Sequence, residues 1–371
     1  MNIAILTSSR ADYGIYLPLL KKLREDASFQ LMLFVFGTHV SSFHGLTKNQ
    51  IIEDGFEVSR EVESLVLGDS PEAIASAIGL TVLKFSSVWA QEQNQIDLII
   101  CLGDRYEMFA AVMSAVPFNI PIAHIHGGET TTGAIDNIFR HSLTNAATYH
   151  FASNQVHAER VAQITGSTNN IFNVGSLSLD NLKDLYFFSI REFQEKFGVD
   201  LSFPTVLVTF HPETVAIYKN QLYVKELIAA LDTLDEQILI TMPNADTQGN
   251  VVRALLLEFA SKKNNVLTVE TLGTRGYFTA MQYCKYMLGN SSSGIIEAAS
   301  FKKYVINLGD RQKGREAGPN VLHCALQKES ILASIEEVKG LPEFKGSNIY
   351  GKGNASEEIV KTLQRIAKRI I

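Results

Sequence analysis

Short apolar runs of strand length alternate with longer amphipathic stretches, and the alternation passes through the chain twice. Asn2–Thr7, Phe29–Phe36, Asp97–Leu102, Pro121–His126, Thr148–Ala152 and Ile171–Val174 read as strands. Tyr16–Arg24, Ser70–Ala90, Arg105–Val116, Ile135–Ala147 and Val156–Ile164 read as helices between them. Such an order implies a parallel, doubly wound α/β sheet. The pattern restarts with strands Pro204–Phe210, Gln237–Thr241, Val266–Glu270, Tyr286–Gly289 and Tyr304–Leu308. Helices Asn220–Leu234, Val251–Lys262, Thr274–Cys284 and Ser292–Ser300 lie between or after them. A length of 371 residues suits two domains at roughly 150 residues each. The expected division is an N-terminal domain over 1–176, a charged, Phe-bearing connection over 177–200 and a second domain over 201–355. An amphipathic helix over 356–371 is expected to pack back on the first domain.

Composition narrows the function classes. The net charge of −6 lacks the basic field that a general nucleic-acid binder needs. Cys101, Cys284 and Cys324 are far apart and follow no zinc spacing, which suits free thiols in a reducing compartment. The N-terminal MNIAILTSSR has no basic flank and does not read as a signal peptide. The longest stretch free of charged residues, Met108–Gly128, carries Pro117, Asn119, Pro121, His124 and His126 and makes a poor membrane span. These features predict a soluble, cytoplasmic protein with neither a nucleic acid nor a membrane as partner.

Ligands of doubly wound sheets bind beyond the carboxyl ends of the strands, and five polar clusters fall there. Arg10, in Ser8–Gly14, is either a phosphate ligand beside a helix N-terminus or a surface residue after a capped start. Asp104, in Gly103–Arg105, is either a base or an N-cap, and Arg105 beside it would keep it ionised. The third cluster, His124–Glu129, is followed by Asp136, Arg140 and His141. Alternation along a strand would point His124 and His126 to opposite faces, so no shared metal site is expected. Gly127 and Gly128 would let the backbone pass close to a ligand. Arg140 and His141 lie about one helical turn from Asp136 and can line one cavity with it. The fourth cluster sets His211 directly after a strand, either as an acid or as a structural histidine, with Asn244 in the corresponding place after the next strand. In the fifth, Gly289–Gly294 exposes amides and hydroxyls suited to a diphosphate, with Ser291 and Ser292 in the turn. Glu297 follows for ribose hydroxyls, and Arg311 follows the next strand. Capping by serine and a surface glutamate are the plainer alternatives.

In this order the segments RADYG, GDR, HxxGGE, IDxxxRH, FHP, PN and GNSSxGxxE resemble the hydrolysing UDP-N-acetylglucosamine 2-epimerases over nearly the whole chain. The resemblance implies a GT-B-like fold, two Rossmann-like domains with the active site in a central cleft. It implies that Arg10 and Arg311 contact the UDP diphosphate, and that Ser291, Ser292 and Glu297 hold phosphate and ribose. Asp104 and Asp136 would be catalytic carboxylates, with His211 assisting UDP departure and Asn244 and Arg105 lining the site. The sialic-acid branch often reads HIEGGE where this chain has His126, and the loop to Asp136 is one residue longer. Either His126 or Glu129 takes the acid/base task, or the sugar differs.

The implied reaction removes the C2 proton of UDP-N-acetylglucosamine as UDP leaves C1, then hydrates the glycal to N-acetylmannosamine for nonulosonic acid synthesis. It needs acid/base groups on both faces of the ring and no cofactor or metal. The alternatives are the same reaction on UDP-2,4-diacetamido-2,4,6-trideoxyglucose (UDP-N,N'-diacetylbacillosamine), on the route to legionaminic acid, and transfer of the sugar by a GT-B glycosyltransferase. A nucleotide-sugar sensor without turnover is a further class. Apolar helix surface around Ala73–Leu83 suits a homodimer or homotetramer.

Overall fold

A computed structural model describes the chain except for residues 69, 132–134, 184, 214–216, 244–248 and 371. In chain order it forms β1 (Asn2–Thr7), α1 (Arg10–Glu25), β2 (Gln30–Phe36), α2 (Lys48–Glu53), β3 (Val58–Val62), α3 (Pro71–Glu92), β4 (Leu98–Leu102) and α4 (Tyr106–Ala115). There follow β5 (Ile122–Ile125), α5 (Asp136–Ala146), β6 (Tyr149–Ala152), α6 (Gln155–Thr165), β7 (Ile171–Asn173) and α7 (Ile190–Phe197). Next come β8 (Thr205–Thr209), α8 (Asn220–Leu231), β9 (Gln237–Thr241), α9 (Gly249–Ala260), β10 (Val266–Val269), α10 (Gly273–Tyr283) and β11 (Tyr286–Gly289). The chain ends with α11 (Ser292–Ile296), β12 (Val305–Leu308), β13 (Val321–Cys324), α12 (Lys328–Gly340) and α13 (Ala355–Ile370).

These elements divide into two compact units. The first holds Met1–Glu129, Ile135–Lys183 and Tyr350–Ile371. Its seven-stranded sheet has the order β3-β2-β1-β4-β5-β6-β7, with every pair parallel. The second, around Asp184–Ile349, has a parallel six-stranded sheet of order β10-β9-β8-β11-β12-β13. Each sheet doubles back beside its first strand, the arrangement of a Rossmann-like domain.

The central strands are apolar on both faces because helices cover both. On one face of the first sheet, Ile3 and Ile5 pack with Leu19 and Leu23 of α1 and with Ile359 and Leu363 of α13. On the other, Ala4 and Leu6 pack with Phe85 and Trp89 of α3 and Val112 of α4. Asp180, in a 3-10 turn at Leu177–Leu182, caps α13 by accepting from the amides of Ala355 and Ser356 at 2.9 and 2.7 Å. α3 is long and apolar enough to cross a membrane by length and composition; its Ala77, Thr81, Phe85 and Trp89 are buried, the last two in the core beside the sheet.

Several elements depart from the sequence reading. α1 begins at Arg10 rather than Tyr16, because Ser9 and Asp12 form a capping box there. β3 and β13 are short edge strands: exposed Arg60 and Glu61 interrupt the first, and the second is only four residues long with an exposed His323. The helix expected over Ser292–Ser300 breaks at Glu297 into α11 and a 3-10 turn, Ala298–Phe301. β5 stops at Ile125, and His126 adopts a left-handed φ of +65°. His126 therefore belongs to a turn, and strand alternation does not set its direction.

Candidate active site

In the first unit, polar turns follow β1, β4, β5 and β6, which are neighbours in the sheet. After β1, the buried carboxylate of Asp12 accepts from Thr7 Oγ1 at 2.6 Å, the Ser8 amide at 2.9 Å and Ser8 Oγ at 2.7 Å. Burial opposes its charge, yet the His39, Thr7 and Ser8 contacts hold its carboxyl below the usual range. This shapes the turn that presents Arg10, an exposed residue opening α1.

After β4, Gly103 turns the chain with φ +80° and Asp104 follows. Asp104 does not cap α4, whose N-cap is Arg105 with no side-chain bond. Nor does Arg105 serve Asp104, as its adjacency in sequence suggested. It grips Glu107 with Nη2 at 2.7 Å and Nε at 3.2 Å. The partner of Asp104 is Arg140, on α5, whose Nη2 donates to Asp104 Oδ2. Arg140 is 3% exposed. Burial opposes its charge, and Asp104 and Glu129 more than offset this and keep it protonated. Asp136 opens α5 in the same neighbourhood. Desolvation, then the charge of Asp104, raises its carboxyl to about 6, against the pull of Arg105 and Arg140. The site thus holds one carboxylate fixed by a guanidinium and a second poised near neutrality.

After β5, Glu129 is 2% exposed and His126 7%. Glu129 Oε2 lies 3.1 Å from Arg140 Nη1. Its Oε1 accepts from Ser153 Oγ at 2.8 Å and lies 3.3 Å from His126 Nδ1. His126 Nε2 accepts the Leu177 amide proton at 3.2 Å, which places the ring's own proton on Nδ1, toward Glu129. His124 is buried on the strand, its Nε2 2.9 Å from the Gly103 carbonyl and its Nδ1 3.2 Å from Thr144 Oγ1. Desolvation lowers it to about 3, so it is a neutral ring that ties down the turn before Asp104. His141, beside Arg140, has no hydrogen-bond partner for Nε2 among the described residues.

In the second unit the turns follow β8, β11 and β12, again neighbours. Asn290 joins them. Its Oδ1 accepts the His211 amide at 2.7 Å, its Nδ2 donates to the His211 carbonyl at 2.8 Å, and its own carbonyl accepts from Arg311 at 3.0 Å and Gln312 at 2.9 Å. Desolvation, with Arg311 adding, lowers the His211 ring to about 4, and its Nδ1 has no hydrogen-bond partner among the described residues. Ser291 caps α11 and Ser292 is its first residue. Hydroxyls run from Thr241 through Thr209, Tyr277 and Ser293 to Ser291 in steps of 2.8 to 3.1 Å. Glu297 closes α11 and is buried. Gly289 must be glycine, since its φ is +146° and a Cβ would lie 1.9 Å from the Thr209 carbonyl oxygen. Asn244 lies outside the described residues.

The structure therefore brings Asp104, His126, Glu129 and Asp136 together around Arg140, and separately gathers His211, Ser291, Ser292 and Arg311 around Asn290 and the hydroxyl ladder. Sequence reading holds His124 and Asn290 only as members of the third and fifth clusters with no role of their own, does not include Ser153 and His157, and takes Arg140 only as a cavity lining. A buried arginine on an amphipathic helix, one turn after Asp136, was the available signal for Arg140. Among the described residues no group of three or more His, Cys, Asp or Glu is placed to hold a metal ion.

The family model described as UDP-N-acetylglucosamine 2-epimerase matches residues 21–364. The chain is 33% identical over 366 residues to the UDP-N,N'-diacetylbacillosamine 2-epimerase (hydrolyzing) of Legionella pneumophila, covering 98% of this chain and 96% of that one. It is 32% identical over 323 residues to the GDP/UDP-N,N'-diacetylbacillosamine 2-epimerase (hydrolyzing) of Campylobacter jejuni, covering 86% and 83%. A solved Methanocaldococcus jannaschii UDP-GlcNAc 2-epimerase, in complex with UDP-GlcNAc and UDP, matches its fold with a TM-score of 0.82 at 17% identity, covering 98% of this chain and 100% of that one. The fold is GT-B-like.

Proposed function

The chain belongs to the UDP-N-acetylglucosamine 2-epimerase family and is an enzyme, and on that premise we propose that it is a hydrolysing 2-epimerase. Its substrate is a UDP-linked 2-acetamido sugar and its products are UDP and the free 2-epimer, a precursor for nonulosonic acids. The observation that carries this reading is the pair of carboxylates after β4 and at the start of α5, one tied to Arg140 and the other raised to about 6. A carboxyl raised toward neutral pH beside a carboxylate held by an arginine suits a reaction that removes a proton and later returns one.

Asp104 takes the C2 proton as the C1–O bond to UDP breaks, which leaves a 2-acetamidoglycal. Water then adds at C1, and Asp136 delivers a proton to C2 from the opposite face. Arg10 contacts the diphosphate. In the second unit, Ser291, Ser292, Arg311 and Glu297 hold phosphate and ribose. His211, neutral at pH 7, donates one hydrogen bond to the departing UDP. We place this soluble activity in the cytoplasm and assign the enzyme a homo-oligomeric state.

Similarity to the Legionella and Campylobacter proteins favours UDP-N,N'-diacetylbacillosamine. UDP-N-acetylglucosamine is the second reading, on the description of the family model. Incubation of the enzyme with each UDP-sugar in heavy water, followed by NMR, tests both. The expected result is stoichiometric UDP release and a free sugar carrying deuterium at C2. Turnover without deuterium at C2 overturns the elimination route, and turnover only with an added acceptor makes the protein a glycosyltransferase.

A further inference from the structure

All four polar groups of His126 are engaged within the first unit. The amide donates to the Phe151 carbonyl at 2.9 Å, and the carbonyl accepts from Arg140 Nη1 at 3.1 Å. Nδ1 faces Glu129, and Nε2 accepts from Leu177. Glu129 is surrounded by donors: Ser153 Oγ and His126 Nδ1 on one oxygen, Arg140 Nη1 on the other. The single hydroxyl proton of Ser153 goes to Glu129, so His157 Nδ1, 2.9 Å away, donates to Ser153 in turn. A carboxylate held this way has no place for a proton without losing a bond, and a general base must accept one.

The consequence lies at Asp104. Arginine grips a carboxylate most strongly as a two-pronged fork. Here Glu129 and the His126 carbonyl occupy Nη1, which closes the fork of Nη1 and Nη2; Nε has no hydrogen-bond partner among the described residues, and Asp104 receives Nη2 alone, on Oδ2. Asp104 Oδ1 has no hydrogen bond among the described residues, and the side chain is 26% exposed.

We propose that Glu129 is a positioning residue: it holds one amine of Arg140 so that Arg140 pins Asp104 by a single oxygen and leaves the other for the substrate, while Ser153, backed by His157, holds Glu129. The inference rests on the reading of Asp104 as the group that meets the sugar. It resolves the choice between His126 and Glu129 as acid/base group in favour of neither.

The test uses Glu129→Gln and Ser153→Ala in the full chain, with kcat and KM measured separately. A second readout is the guanidinium spectrum of 15N-arginine-labelled protein, with the Arg140 signal assigned by its loss in Arg140→Lys. Glu129→Gln should lower kcat about 10- to 100-fold, below the roughly thousandfold loss of a true acid/base group. Ser153→Ala should lower it about threefold. KM should stay within about twofold in both, and the Arg140 signal should shift and exchange faster in both. Loss of kcat in Glu129→Gln equal to that in Asp104→Asn, with the Arg140 signal unmoved, would make Glu129 a reacting group and overturn the proposal. So would unchanged kcat together with an unmoved signal. If the unaltered enzyme turns over neither UDP-sugar, the proposed activity fails, and the spectrum alone then decides whether Glu129 fixes Arg140. Should Glu129→Gln unfold, Ser153→Ala carries both readouts.

Discussion

The two units share an architecture and differ in what they place at the carboxyl ends of their strands. The first gathers charge: Asp104, Glu129 and Asp136 around a buried Arg140. The second gathers mostly uncharged groups beside Arg311 and a buried Glu297: the Asn290 amide, a ladder of hydroxyls and a histidine lowered to about 4. Buried charges perturb one another's proton affinities, which suits proton transfer. Oriented amides and hydroxyls hold an anion with little reorganisation, which suits a nucleotide. On the proposed reading, one scaffold divides two tasks by the polarity of its turns.

The largest effect should come from breaking the charged site. Asp104→Asn keeps the shape and removes the base, and should lower kcat by about a thousandfold. UDP affinity, measured by calorimetry, should stay within about twofold. A variant that lost UDP binding while its turnover at saturation survived would show that Asp104 belongs to the nucleotide and that the division is wrong.

How much of this could be read beforehand follows from which contacts are local. The central strands were legible because strands of a parallel sheet buried on both faces are continuous apolar runs, as in Thr205–Thr209. The edge strand Val58–Val62 was not, since Ser59, Arg60 and Glu61 interrupt it. Between Leu308 and Ser356 the reading placed no element, although β13 and α12 form there. At the site, the rule for carboxyl ends picked out Asp104, His211 and the Gly289–Gly294 turn. The partners were hidden. Arg105 lies beside Asp104 in sequence but pairs with Glu107, and Arg140, far along the chain, takes its place. A pairing that depends on α5 lying beside the β4 turn is set by tertiary packing, to which spacing along the sequence is blind. The backbone of His126 was misread for a local reason. Gly127–Gly128 marked a turn, but its start one residue earlier, in a left-handed histidine, is a conformation uncommon for any residue other than glycine.

A moderate effect should come from breaking the neutral site. Asn290→Ala strips the His211 amide and carbonyl of their buried partner and should destabilise the protein by about 2 to 3 kcal/mol in denaturant unfolding. The His211 turn would loosen, and UDP affinity should fall about tenfold while kcat at saturation changes less than about threefold. A fall in kcat with UDP affinity intact would place His211 with the proton chemistry and blur the contrast between the units.

The smallest expected effect sharpens the comparison from the stability side. Asp136 has its carboxyl raised to about 6 from an ordinary 3.8. The folded state therefore binds this proton more tightly than the unfolded state. Its contribution to stability is fully present below pH 3.8, is lost as pH rises from there to about 6, and is absent above. At pH 8 the folded protein holds an ionised carboxylate in a partly desolvated place beside Asp104, which costs stability. Asp136→Asn removes that cost and should raise the melting temperature by about one or two degrees at pH 8. Below pH 4 the protonated acid and the amide are nearly equivalent, and the two curves should meet. No such amide gain is expected at Asp104, whose bond to the buried Arg140 the substitution weakens, so Asp104→Asn should melt lower at pH 8. Opposite signs for the two substitutions at pH 8 would show that neighbouring carboxylates in one site are held on opposite sides of their stability balance. Equal signs would remove that distinction and, with it, the grounds for giving one the role of base and the other of acid.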